Sequence, residues 1–171
     1  MEAIIWISKS LPANYLLLVK EQVLSYGIRS KWYYQQLIKM PNVVLVNPKV
    51  HSWELISCSE IVATITGTIG QEAVHHKKPV LSFGKHQVIN HLPTVCYVSN
   101  YSETSKAINL FLSKKLKNHD FIHSKRVLAQ AQLDSSIDFP KYKDLKNSKE
   151  IGEAIAGKAL ESLFSEYPSL N

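Results

Sequence analysis

Two cysteines among 171 residues, and no Cys-x-x-Cys spacing, leave little room for a thiol-ligated zinc site or a disulfide framework. Cys58 and Cys96 lie in apolar stretches and read as small buried hydrophobes in a reducing compartment. Long apolar runs are missing as well. The apolar start of the chain, residues 1–12, is too short for a signal core with its cleavage site and too short to span a bilayer. A cytosolic protein is therefore expected, with peripheral contact at the inner face of the membrane left open. The chain has no Walker A ending (Gly-Lys-Ser/Thr), no Gly-x-Gly-x-x-Gly dinucleotide fingerprint and no nucleophile elbow. It also lacks an internal repeat and an Asp-x-Asp pair, and no metal or other cofactor is expected.

What is present suits one domain with an appendage. Hydrophobic residues make up 45% and charged residues 20%, enough for a normal core. The formal charge is +6 and the pI 9.2. Much of the excess falls between Lys106 and Lys149, which reads either as a solvated helical surface or as a membrane- or partner-facing patch. That region has few interleaved aromatics and no recognisable nucleic-acid module, so nucleic acid is not an expected partner.

Five β-prone runs punctuate the first hundred residues: Tyr15–Val19, Val43–Val46, Ile61–Ile65, Val80–Phe83 and Thr94–Val98. They are nearly continuous rather than alternating, as strands covered on both faces are. Helical connections are expected over Glu2–Ser10, Arg29–Lys39, a short stretch capped by Ser52, and Ile69–Lys77. Strands alternating with helices predict an α/β fold built on a parallel, Rossmann-like sheet with right-handed crossovers. Beyond Ser99 the pattern turns helical, with helices expected over Glu103–Leu116 (capped by Ser102), Phe121–Leu133 (capped by Asp120) and Ile151–Phe164, and a polar linker over 134–148. The domain reading is 1–117 for the Rossmann-like part and 118–171 for a helical C-terminal extension. A strand would normally precede the first helix. None does, so the chain reads as lacking the first strand of its Rossmann unit.

The chemistry concentrates in Thr66-Gly67-Thr68-Ile69-Gly70, between the third strand and the following helix. Glycine there permits a sharp turn and close approach of a ligand to the main chain. Thr68 can cap the helix or donate to a phosphate oxygen, and first-turn amides favour negative charge. Glu72, one turn in, can accept two hydrogen bonds from a ribose diol; the alternative is an ordinary stabilising acid at a helix start. Lys20 follows the first strand, where it can meet a phosphate or end the strand in solvent. Arg29 opens the next helix, where the dipole disfavours a cation, and that local conflict points to an ion pair or a ligand duty. His75 and His76 are adjacent and point in different directions, so no shared metal is expected. His86 and His91 follow Gly84 in a loop that should border the same cleft.

Four stretches, taken in order, resemble the capsule and surface polysaccharide biosynthesis glycosyltransferases of GT-B fold. They are Tyr15–Glu21, Gly27–Tyr34, Pro41–Pro48, and Ser59–Gly84 with its glycine turn. The resemblance covers roughly residues 3–115. It implies the C-terminal, nucleotide-sugar-binding half of such an enzyme, taking a UDP-, CMP- or GDP-linked donor without a metal. The resemblance implies that the turn Thr66, Gly67, Thr68, Ile69 and Gly70 meets the donor phosphate and that Glu72 holds the ribose; with Lys20, Arg29 and Gly84 they make up the expected nucleotide-sugar site. The polysaccharide acceptor would be held by a separate N-terminal domain, where such enzymes usually keep the general base, so no catalytic residue is assigned. The family often reads Val-Lys-Glu-His-Pro after the first strand; here Gln22 stands at the histidine and carries no charge. A nucleotide-sugar 2-epimerase relative and a non-catalytic, degenerate Rossmann module in polysaccharide assembly remain alternatives, and a homodimer is left open.

Overall fold

Among the described residues the most deeply buried strand is Val80–Ser82, every residue of which is buried. In the computed structural model, which describes residues 1–25 and 27–134, it is the middle of a parallel three-stranded sheet. Eleven regular elements order the described residues. They are α1 (Glu2–Ser10), β1 (Leu17–Lys20), α2 (Lys31–Ile38), β2 (Val43–Val46), α3 (Ser52–Cys58), β3 (Val62–Thr64), α4 (Ile69–His75), β4 (Val80–Ser82), β5 (Val95–Tyr97), α5 (Tyr101–Leu112) and α6 (Asn118–Asp134), with short 3-10 turns at Val23–Ser25 and Val88–His91. β3, β4 and β5 lie side by side, with Val62 opposite Val80 and Val80 opposite Val95. β1 and β2 form a separate parallel pair, Leu17 opposite Val43. The α/β, Rossmann-like reading stands.

Two apolar clusters cover the three-stranded sheet. On one face Val62, Val80 and Val95 pack with Ile56 of α3, Ala73 and Val74 of α4, and Leu128 of α6. The next residues along the strands, Leu81 and Cys96, turn to the other face and meet Ile7 of α1 and Ile108 and Phe111 of α5. The alternation along β4 is a strand's period of two with both sides apolar, which is why its sequence reads as a continuous hydrophobic run. The helix expected over Glu2–Ser10 falls there, the one expected over Phe121–Leu133 begins three residues earlier at Asn118, and the five strands differ from the sequence reading only at their ends.

The single sheet covered on both faces is not formed by the described residues. β1 and β2 share no ladder with β3, and Leu18 and Val44, opposite one another in the register, are 39% and 41% exposed. One face of that pair is uncovered. The reading of the two cysteines also needs correcting: Cys58 ends α3 and is exposed, while Cys96 packs among the α1–α5 cluster and its burial pushes the thiol pKa up.

Three helix starts differ from the sequence reading. Ser52 lies inside α3, whose N-cap is His51, without a side-chain cap bond. Asn100, not Ser102, caps α5 by accepting from the Glu103 amide at 2.9 Å. Asp120 sits within the first turn of α6 and reaches back to accept from the Lys117 amide at 2.8 Å. Each region offers several short polar residues, and only the approach of the chain selects the one with cap geometry.

Contacts divide the chain into Met1–Ala129 and Gln130–Asn171. The first unit runs past the expected boundary at 117 because the start of α6 is packed into it. Fully buried Ser124 accepts from both the amide (3.3 Å) and the hydroxyl (2.9 Å) of Thr94, and Leu128 joins the core. The expected linker 134–148 and helix Ile151–Phe164 lie outside the described residues, apart from Asp134 at the end of α6.

Candidate functional site

β3 ends at Thr64, and its hydroxyl turns back to accept from the Gly67 amide at 3.0 Å, bending the chain over the strand end. This Thr-to-Gly bond was not read from the sequence, although a threonine three residues before a glycine turn is its signal. Thr66, Gly67 and Thr68 are exposed, and α4 begins at Ile69. Thr68 is the N-cap by position, yet its side chain makes no cap bond; the capping role expected of it is not used. Its carbonyl accepts from the amides of Gln71 (2.9 Å) and Glu72 (3.1 Å), and Gly67's carbonyl accepts from Gly70 (3.3 Å). Within this turn the amides of Thr68 and Ile69 have no partner among the bonds between described residues.

The two sequence-predicted glycines that follow serve packing. A Cβ built on Gly70 would stand 2.5 Å from Cδ1 of Ile89 and 3.1 Å from Cγ2 of Thr64, so this glycine lets α4 press against the sheet. At Gly84 a Cβ would run into the backbone carbonyl of Ile65. There the chain after β4 passes directly over the end of β3, and Gln87 donates to the same carbonyl at 3.0 Å.

One cavity of about 1180 Å³ runs along β1 and β3, from Tyr15 and Glu60 before the strands to Lys20 and Thr66 at their carboxyl ends. Lys20, Arg29, Thr66, Gly67, Thr68, Ile69 and Glu72 all line it; Gly70 and Gly84 do not. His86 and His91 are exposed and are not among its lining residues either. The predicted residues from two distant stretches, 20–29 and 66–72, are thus brought to one edge, as open α/β sheets arrange their ligand sites.

The charges are not equally available. Arg29 lies before the N-cap Ser30 rather than inside α2, and its Nε is 3.2 Å from Oε1 of Glu21, whose side chain is mostly buried. The other Glu21 oxygen accepts from the Tyr34 hydroxyl at 2.7 Å, and the Arg29 guanidinium stacks 4.8 Å over the Tyr33 ring. The ion pair foreseen for Arg29 is therefore made, and its partner, Glu21, was not named as a site residue. Lys20 is half-buried and has no ion pair among the described residues. Glu72 is exposed on the cavity wall; a second lining carboxylate, Glu60, lies before β3, at the amino end of the strand. The arrangement offers one cation, two amides and a hydrogen-bond-accepting acid around open space: hydrogen-bond partners for a phosphate and, separately, for a diol.

Residues 8–87 match the family model described as capsule polysaccharide biosynthesis protein. The match covers just under half of the chain, takes in β1 through β4, and supports kinship with that family over the stretch that carries the site. No curated protein and no solved structure matches the chain. Among the described residues no helix is long and apolar enough to cross a membrane.

Proposed function

We propose that this chain binds the nucleotide part of an activated sugar in capsule or surface polysaccharide biosynthesis, as the donor-binding half of a GT-B-type glycosyltransferase. The observation that carries the reading is that Lys20, Thr68, Ile69 and Glu72, all at the carboxyl ends of β1 and β3, line one cavity. The family match over residues 8–87 supports the polysaccharide context. In this reading Lys20 and the two amides take the phosphates, and Glu72 accepts from the ribose hydroxyls. Transfer would be assisted by positioning and by stabilising charge on the departing nucleotide phosphate, with no metal required. The general base and the polysaccharide acceptor belong to a separate domain, and the setting is the cytoplasmic face of the membrane.

A second reading, a non-catalytic, degenerate module that no longer binds nucleotide, has its own support. Gln22 occupies the position of the family's phosphate-contacting histidine, and Arg29 is neutralised by Glu21. Both lower the positive potential on offer to a diphosphate. One experiment separates binding from its absence: thermal shift of the chain with UDP, CMP, GDP and their sugars, followed by titration of whichever stabilises it. Glu72→Ala is expected to weaken that ligand roughly tenfold to a hundredfold, the loss of hydrogen bonds to a charged group, with the melting temperature of the free chain unchanged. A chain that none of these ligands stabilises would leave the nucleotide reading without foundation.

A further inference from the structure

Residues 114–129 carry most of the charge imbalance of the chain. They hold five lysines and arginines against one aspartate, a net +4 where the whole chain has +6. Lys114, Lys115 and Lys117 occupy the turn from α5 into α6, and Lys125 and Arg126 lie about two turns along α6. All five are exposed.

A solvated helix ordinarily sets such cations beside acids three or four residues away. Here no Asp or Glu stands at those distances from Lys125 or Arg126. Among the described residues none of the five cations makes an ion pair. The one acid of the stretch, Asp120, is already engaged. One of its oxygens accepts from the Lys117 amide at 2.8 Å, and the other lies 2.8 Å from Nε2 of His119. The positive charge is therefore left uncompensated.

Buried Ser124 and Leu128 fix the inner face of α6. On the opposite face His119, Ile122, His123 and Arg126 recur at the spacing of one helical stripe, and all four are exposed. Ile122 is thus an apolar side chain set among basic ones, and exposed Val127 flanks the stripe.

We infer that this surface, the turn at 114–117 with the outer stripe of α6, docks the chain onto a bilayer rich in anionic lipid. Charge complementarity selects the partner. Unpaired cations on one face meet a plane of phosphate headgroups, and Ile122 and Val127 enter the boundary just beneath them. A nucleic acid fits less well, because no Phe, Tyr or Trp stands on the stripe for a base to stack on. The inference deepens the proposed membrane setting by naming the surface that meets it, and it does not rest on nucleotide binding.

The test sediments the full 171-residue chain with vesicles of pure phosphatidylcholine and with vesicles of equal phosphatidylcholine and phosphatidylglycerol. The chain is expected to follow only the anionic vesicles and to leave them as salt is raised. Each Lys or Arg at such a surface raises binding about fivefold, so Lys125→Gln with Arg126→Gln should weaken it about twentyfold. Ile122→Ser should weaken it several-fold at unchanged net charge. A control pair, Lys31→Gln with Lys39→Gln, removes the same charge from exposed positions in and just after α2 and should leave binding nearly unchanged. Thermal melts check that each variant is folded. Sedimentation with both kinds of vesicle, or with neither, would overturn the proposal. So would an equal loss in the control pair, since net charge alone would then explain the binding. An unaffected double variant, or an unaffected Ile122→Ser, would overturn it too. Capture by duplex RNA in place of vesicles, lost in the double variant, would make nucleic acid the partner instead.

Discussion

Gly70 and Gly84 were both expected at the site, yet what each lets approach differs, and so does the expected cost of a methyl group. At Gly70 the obstructing atom is the tip of the Ile89 side chain, which can rotate aside at a cost of about 1 kcal/mol. At Gly84 it is the backbone carbonyl of Ile65, just past β3, which cannot swing aside as a side chain can, so Gly84→Ala should cost about 3 kcal/mol or fail to fold. Urea unfolding of the two variants checks the order; a costlier Gly70→Ala would mean that the chain crosses the end of β3 elsewhere. The same scale decides the phosphate question. Lys20→Ala should weaken an anionic ligand while Arg29→Ala should change its affinity little, since Glu21 already holds that charge. Isothermal titration with the stabilising nucleotide compares them, and an equal loss in both would show Arg29 breaking its pair to reach the ligand.

At the scale of an element, the end of α4 carries a correctable conflict. Lys77 donates to Val74 and Lys78 to Ala73, the two bonds of a Schellman ending, which puts Lys77 in the left-handed region at φ 55°. A side chain there costs about 1 kcal/mol, so Lys77→Gly should raise stability by that amount and Lys77→Ala should not. Paired thermal melts test it. The Lys78 ammonium donates to the Ser57 and Ser59 carbonyls at the end of α3, at 3.1 and 2.7 Å, tying the end of α4 to its neighbour. At the start of α5, the Ser99 amide and hydroxyl donate to the Glu103 carboxylate, and the amide bond above all holds its pKa below the ordinary glutamate value. A depressed carboxylate contributes stability that is present above its unfolded pKa and is lost as pH falls through the folded one. Glu103→Gln should therefore flatten the stability profile in that acid window and leave its neutral-to-basic side parallel to the parent, as pH-dependent denaturation can check.

For the molecule as a whole, the start of α6 belongs with the Rossmann-like layers rather than with an appended extension. Ser124→Ala would leave the buried Thr94 amide without its partner, an expected loss of about 1–3 kcal/mol. Denaturant unfolding measures it, and a neutral substitution would detach α6 from the core. The same whole-molecule view explains the uncovered face of β1 and β2. Leu18 and Val44 have the composition of central strands, yet among the described residues β1 pairs only with β2, apart from the sheet of β3, β4 and β5, and these two side chains stay exposed.

The sequence alone determined the order and type of the elements, because strands with two apolar faces and amphipathic helices write their periods directly into residues 2–134. It also marked Lys20, Arg29 and the turn at Thr66–Gly70 as one end of that layered pattern, since strand direction places every loop after a strand on the same edge. Which of those residues face open space was decided only in three dimensions. Gly70 and Gly84 were claimed by packing and Arg29 by Glu21, while Glu72 stayed exposed on the cavity wall. Such outcomes turn on distances between residues far apart in the chain, and local composition carries no record of them.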